Sequence, residues 1–252
     1  MLRNTFVHIP GIGKNTENKI WQNNILNWEE FLENYHKLPL ATSKKQRINF
    51  YLQQSIKAYQ EKNHKFFINE IPGREHWRVY PEFKDQCCFL DIETTGLSKH
   101  YHDITVIGLY NGEESKIFVN GKNMHKFEDE IKKYSLIITF NGKCFDLPFI
   151  QAKFPQLDLN KFHIDLRFVL KELGFSGGLK RIEKELDINR DDDLQDVDGF
   201  EAVRLWRKYQ RGDEQALQLL MKYNQADIEN LKTLMDFAFD KLKNKNFFSV
   251  IE

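Results

Sequence analysis

Four short apolar runs between residues 87 and 139 decide what this chain can build. They are Cys87-Cys88-Phe89-Leu90, Thr105-Val106-Ile107-Gly108-Leu109-Tyr110, Lys116-Ile117-Phe118-Val119 and Leu136-Ile137-Ile138-Thr139. Each has strand length and strand composition. Asn111-Gly112, ahead of the third run, predicts a hairpin turn. His125 to Tyr134, between the third and fourth runs, reads as helical. Beyond residue 145 helical spacing takes over in Phe145–Phe154, Asp165–Leu173, Leu179–Leu186 and Gly199–Tyr209, then in the long run Asp213–Leu242, where a break is expected. Strands first, then strands alternating with helices, predict a mixed α/β domain. None of the apolar runs is long enough to span a bilayer.

Ahead of the strands the pattern is also helical. Asn15–Asn23 follows a glycine-rich turn, and Trp28–Tyr35 carries Asn27 as N-cap with Glu30 three residues on. Ser43-x-x-Gln46 has the form of a capping box and begins a third helix reaching about Glu61. By residue pattern the two regions meet near Pro81-Glu82-Phe83.

Charge divides the same way. Lys+Arg and Asp+Glu both number 37, which excludes a polybasic binder. Residues 1–84 nevertheless hold 13 basic and 8 acidic side chains, whereas residues 85–252 hold 24 and 29. The first segment suits contact with a polyanion; the second carries surplus carboxylates that call for an explanation. A hydrophobic content of 41%, with 21 Phe, supplies a core and excludes global disorder. Cys87, Cys88 and Cys144 form no disulfide framework and no Cys-x-x-Cys pair. They read as small hydrophobes in a reducing, cytoplasmic setting. Pro10 and Gly11 interrupt the start of the chain where a secretory signal would be apolar.

Asp91-Ile92-Glu93 closes the first run. Residues two apart on a strand share a face, so Asp91 and Glu93 point together. Two such carboxylates repel each other and resist burial without a cation or a proton; a strand end with two solvated acids is the plainer alternative. Asp146, in Asn141-Gly142-Lys143-Cys144-Phe145-Asp146, follows the fourth run at the start of a helix and at the same sheet edge. The helix dipole alone would favour an acid there. Tyr223 and Asp227 are four apart and share a helix face, as do many tyrosines packed beside a surface acid.

Taken in order, these segments resemble the DEDD exonuclease superfamily of the ribonuclease H-like fold, in its tyrosine variant, DEDDy. Asp91-x-Glu93 matches the first motif, Asn141-x-x-x-Phe145-Asp146 the second and Tyr223-x-x-x-Asp227 the third. Phe89-Leu90-Asp91-Ile92-Glu93-Thr94-Thr95-Gly96-Leu97, Thr139-Phe140-Asn141-Gly142-Lys143-Cys144-Phe145-Asp146-Leu147-Pro148-Phe149 and His163-Ile164-Asp165-Leu166-Arg167 are similar to the YprB-type ribonuclease H-like domain family. The likeness covers about residues 66–242. It implies a ribonuclease H-like mixed sheet flanked by helices, preceded by a small helical N-terminal region, with domains at 1–65 and 66–252.

The resemblance also implies an activity: a metal-dependent 3′-5′ exonuclease acting on DNA or RNA with a free single-stranded 3′ end. Two Mg²⁺ or Mn²⁺ ions, about 3.5–4 Å apart, would serve the reaction, and hard oxygen ligands suit those metals rather than zinc. By the same resemblance Asp91 bridges both ions, Glu93 and Asp227 complete the water-activating site, and Asp146 holds the second ion, directly or through water. Tyr223 orients the attacking water. A tyrosine of ordinary pKa, about 10, is a poor base at neutral pH, so the metal supplies the acidity. Thr94, Thr95, Gly96 and Leu97 grip the terminal nucleotide, with Leu97 stacking on a base, and Asn141, Lys143 and Phe145 are further contacts. Asp165 reads as structural or as an outer partner of the site. Gly177-Gly178-Leu179-Lys180 opens a helix whose N-terminus suits phosphate, or is a plain turn.

Near the start, Ile9-Pro10-Gly11-Ile12-Gly13-Lys14 resembles a helix-hairpin-helix motif. Such a turn presents the amides of Gly11 and Gly13 to a nucleic-acid phosphate, with Lys14 adding charge; such contacts position a backbone without reading sequence. A hairpin that only packs is the alternative. His100 and His102 read as an exposed pair, and Asp191-Asp192-Asp193 as a solvated loop. A second functional class stays open: a module that keeps the fold and binds nucleic acid without cutting, or cuts only when recruited by a partner.

Overall fold

Capping and apolar spacing set the N-terminal helices of the computed structural model, which describes residues 1–194 and 197–251. They are α1 (Lys14–Trp21), α2 (Trp28–Asn34), α3 (Thr42–Gln60) and α4 (His64–Glu70). At α2 the expected cap forms in both directions. Asn27 Oδ1 accepts from the Glu30 amide at 2.9 Å, and Glu30 Oε2 accepts from the Leu26 amide at 2.6 Å. At α3 the expected Ser43–Gln46 box does not form. The helix begins at Thr42, with Ala41 as an N-cap that offers no side-chain bond. Ile48, Leu52, Ser55 and Ala58 hold α3 instead, because their spacing buries one stripe. Inside this unit Phe6, Trp28, Phe31 and Phe67 are fully buried, and His8 Nε2 meets Ser55 Oγ at 2.9 Å. The unit comprises Met1–Lys84, Asn160–Phe162 and Phe239–Glu252; a second comprises Asp85–Leu159 and His163–Ala238.

All four apolar runs become strands: β1 (Cys87–Thr94), β2 (Ile104–Tyr110), β3 (Ser115–Val119) and β4 (Leu136–Thr139). With β5 (Phe162–Asp165) they form a mixed sheet of order β3-β2-β1-β4-β5. β1 and β2 run antiparallel, with Asp91 opposite Gly108 and Glu93 opposite Val106. β2 and β3 are the expected hairpin. At its turn Asn111 Oδ1 accepts from the amides of Glu113 and Glu114, and Gly112 takes φ +99°, a region glycine enters without strain. β1 and β4 are parallel, pairing Cys87 with Leu136 and Phe89 with Ile138.

Further helices are α5 (Phe127–Ile131), α6 (Asp146–Lys153), α7 (Leu166–Glu172), α8 (Leu179–Glu185), α9 (Gly199–Tyr209) and α10 (Glu214–Lys243). α5 is shorter than the stretch expected from His125 to Tyr134. α10 runs 30 residues without the expected break, and its sequence holds neither glycine nor proline to make one.

The two sheet faces sort by residue parity. Cys88, Leu90, Ile92 and Ile107 pack with Phe127, Ile131, Phe149 and Ile150. Val106 and Val119 pack instead with Leu205 and Trp206 of α9 and Leu217, Leu220 and Tyr223 of α10. Strand alternation therefore sends Asp91 and Glu93 to the α10 side. Among the described residues no helix is long and apolar enough to cross a membrane.

Candidate active site

The acids meet because one strand outlasts its neighbour. Pairing of β1 with β4 ends at Phe89 and Ile138. Past that point Asp146, the first residue of α6, takes over: its Oδ1 accepts from the Ile92 amide at 3.2 Å. Asp227 arrives from α10, one turn beyond Tyr223. Oxygens of Asp91, Glu93 and Asp227 all lie within 4.8 Å of one another, a grouping suited to a metal ion. Glu93, Asp146 and Asp227 are buried and Asp91 is partly exposed.

Electrostatics follows from this crowding. Burial, then the charges of Asp227 and Asp146, push both Asp91 and Glu93 well above the usual carboxylate range. Asp146 is pushed up to about 7, chiefly by burial and against two backbone hydrogen bonds. Asp227 reaches only about 6, because Arg190 beside it opposes the cost of burial. Tyr223 is raised as well, by burial and then by Asp227 and Glu93, so its hydroxyl stays protonated at neutral pH.

Two holders of the acids escaped sequence reasoning. Asn224 Nδ2 donates to Asp91 Oδ2 at 2.8 Å and to the Asp91 carbonyl at 3.3 Å. Gly108 makes room for it: a Cβ there would stand 2.3 Å from Asn224 Oδ1. A glycine inside a strand was the visible sign of that close approach. Arg190, between α8 and α9, pairs with Asp227 and with Glu183; no spacing marks it.

The second-motif loop is tied down by Asp165. Its carboxylate accepts from the amides of Asn141 at 2.8 Å, Lys143 at 3.1 Å and Arg167 at 3.1 Å. Asn141 takes φ +66°, and Arg167 Nη1 donates to its side chain at 2.6 Å. The first-motif loop is pinned by Thr95, whose amide and hydroxyl bond Asp103, while Thr94 Oγ1 donates to the Gly96 carbonyl. His102 packs against Gly96, where a Cβ would stand 2.5 Å from its ring.

A cleft of about 790 Å³ opens over the acids. Thr94, Thr95, Gly96, Leu97, Asn141 and Phe145 line it together with Asp91, Glu93, Asp146, Tyr223 and Asp227. Lys143 is exposed on its loop and lies outside this lining. A wall from α9 was not foreseen: Phe200, Val203, Arg204 and Arg207. Leu97 is 81% exposed and Phe200 76%, both unusual for large apolar side chains. Gly11, Gly13 and Lys14 belong to the other unit. Gly11 takes φ +78°, Gly13 caps α1, and Lys14 Nζ lies 2.9 Å from a carboxylate oxygen of buried Glu75.

This sheet order, with helices on both faces, defines a ribonuclease H-like domain. The chain belongs to the RNase_H superfamily, whose family model matches residues 88–239. It is 30% identical over 142 residues to an uncharacterized protein of Methanocaldococcus jannaschii, MJ0365, a match covering 50% of this chain and 80% of that one. The fold is similar to part of the family B DNA polymerase from Pyrobaculum calidifontis, with a TM-score of 0.51 at 14% identity over 62% of this chain. The chain spans only 24% of that polymerase, and the likeness is one of fold. Brucella melitensis NrnC matches with a TM-score of 0.47 at 18% identity, over 67% of this chain and 80% of NrnC.

Proposed function

We propose that this protein is a divalent-metal-dependent nuclease of the DEDDy type, similar to the YprB-type family. In this reading it is a 3′-5′ exonuclease hydrolysing phosphodiester bonds of DNA or RNA. The observation that carries the reading is the meeting of Asp91, Glu93 and Asp227 oxygens within 4.8 Å. The donor set fits Mg²⁺ or Mn²⁺: carboxylate oxygens are hard ligands, and acids this crowded cannot all ionise without added positive charge. Asp91, Glu93 and Asp227 would hold one ion, and Asp146, with Asp91, a second. Such ions, when bound, acidify a water and stabilise the leaving oxygen.

The chain's own groups do the rest. Asn224 fixes the Asp91 carboxylate. Tyr223, held protonated, serves as a hydrogen-bond donor to the incoming water rather than as its base. Leu97 and Phe200 offer faces for a terminal base, in the sequence-tolerant manner of stacking platforms. Arg204 and Arg207 offer charge to the backbone phosphates. Thr94, Thr95, Gly96, Asn141 and Phe145 complete the wall around the terminal nucleotide, and Lys143 reaches the strand further out. Residues 1–65 add a nucleic-acid-binding region through the Gly11–Gly13 turn, and residues 66–252 the nuclease domain.

The test uses end-labelled single strands with Mg²⁺ or Mn²⁺. Stepwise shortening from the 3′ end by wild type, lost in Asp91→Ala and Asp227→Ala proteins, is the expected result. Binding of the same strands in EDTA with no shortening at any metal concentration would favour the non-cleaving module.

A further inference from the structure

Behind Asp227 lies a buried ion pair that the chemistry above does not use. Arg190 Nε and Nη2 lie 2.7 Å from the two separate oxygens of Glu183, a fork engaging both. Glu183 is 2% exposed and also accepts from Asn230 Nδ2 at 3.0 Å. The same guanidinium pairs with Asp227 Oδ1 and sits 5.5 Å from the Tyr223 ring centre. One side chain therefore touches both members of the third motif.

Two roles are physically distinct. An arginine free to swing would act as an internal cation, competing with a divalent ion for Asp227. Arg190 is not free: its planar fork is spent on a buried carboxylate that is itself tied to α10. Among the described residues its Nη1 is buried without a partner, which a pair built for stability alone would avoid. We infer that Arg190, locked by Glu183, is a positioning residue that sets the Asp227 carboxylate and the Tyr223 ring for the divalent ion. Pairing of Asp227 Oδ1 with Arg190 restrains the rotation of a carboxylate whose oxygens lie beside those of Asp91 and Glu93. Hydrogen-bonded outer partners orient metal ligands in this way. The inference rests on the metal-site reading proposed above.

Sign separates the two roles. Charge alone says that deleting a cation beside the site tightens divalent binding; positioning says the reverse. Mn²⁺ is titrated calorimetrically into chelator-treated full-length protein, without nucleic acid, for wild type, Arg190→Gln, Arg190→Lys, Glu183→Gln and Asp227→Ala. The expected result is a loss of affinity of roughly 10–100-fold in Arg190→Gln with an unchanged circular dichroism spectrum. Arg190→Lys keeps the charge, loses the fork and is not rescued, and Glu183→Gln loses affinity in the same direction. Half-saturating Mn²⁺ for strand shortening rises in parallel, while kcat at saturating Mn²⁺ changes less.

Folded Arg190→Gln and Glu183→Gln proteins that bind Mn²⁺ as tightly as wild type, or more tightly, overturn the inference. Failure of both to fold overturns it too, by making the pair a stability element. Asp227→Ala protein that keeps wild-type Mn²⁺ affinity sinks the metal-site reading itself. Loss in Asp227→Ala with no loss in the Arg190 and Glu183 variants sinks the positioning role alone.

Discussion

Asp91 depends on a neighbour that carries no charge. The 2.8 Å side-chain hydrogen bond from Asn224 lowers the cost of its negative charge. Removing it in Asn224→Ala leaves the carboxylate free to rotate and should cost roughly 10–100-fold in kcat/KM at fixed Mg²⁺. Asp91→Asn, which removes a carboxylate of the proposed metal site, should cost more than that. The Gly108 position gives an independent check. A Cβ there meets Asn224 Oδ1 at 2.3 Å and Ile228 Cδ1 at 3.0 Å, so Gly108→Ala must displace a buried side chain. Overpacking of this kind costs about 1–3 kcal/mol, read by urea unfolding, and activity should fall with it because the displaced group holds Asp91. A Gly108→Ala protein with wild-type stability and activity would show that α10 yields freely at this point. Local periodicity made two pairings legible, Asp91 with Glu93 on a strand face and Tyr223 with Asp227 on a helix face; grouping them with Asp146 as one site was what the family resemblance implied. Asn224 was not legible, because its partner is 133 residues away and pairwise spacing says nothing about tertiary neighbours.

Among the elements, α9 contributes what no motif announced. Phe200, in the first turn of that helix, is 76% exposed on the cleft wall, where burial cannot explain it. Stacking of a base on such a ring is worth about 1–3 kcal/mol. Phe200→Ala should therefore raise KM for a short single strand by roughly 5- to 160-fold, converting that range, with a smaller change in kcat. Arg204→Gln and Arg207→Gln should each flatten the salt dependence of strand binding, by about one unit of slope per lost phosphate contact. An unchanged KM in Phe200→Ala protein would remove α9 from substrate recognition. The elements also show where pattern reading stops. Strands were recoverable because four-residue apolar runs have few other uses. The start of α3 was misread because Ser43-x-x-Gln46 satisfies the wording of a capping box from inside the helix, while the real N-cap, Ala41, has no side-chain signal. The break expected in α10 came from length alone; burial of Leu220, Ile228, Leu231, Leu234 and Met235 sustains the helix past the usual limit.

Across the whole molecule, the two units should respond to pH in opposite directions. His8 is buried against Ser55, and burial lowers its pKa from the ordinary 6.5 to about 3. The folded state holds it neutral, so its contribution is present above about pH 6.5 and is lost as pH falls toward 3. The acid cluster behaves in reverse. Asp146 and Asp227, raised from 3.8 to about 7 and about 6, hold protons when folded that the unfolded chain releases. Without metal, the folded state therefore loses stability as pH rises from about 4 through about 7. In the proposed metal site a divalent ion would replace those protons and remove that loss, so its stabilising effect should grow with pH across the same window. Thermal unfolding followed by circular dichroism, in EDTA and in Mg²⁺, checks both halves. The Mg²⁺-induced rise in Tm should be larger at pH 7.5 than at pH 5. His8→Gln should blunt the loss of stability on acidification without altering the Mg²⁺ effect. Equal Mg²⁺ shifts at the two pH values would mean that the acids ionise without help, and the charge crowding on which the proposed metal site rests would not exist.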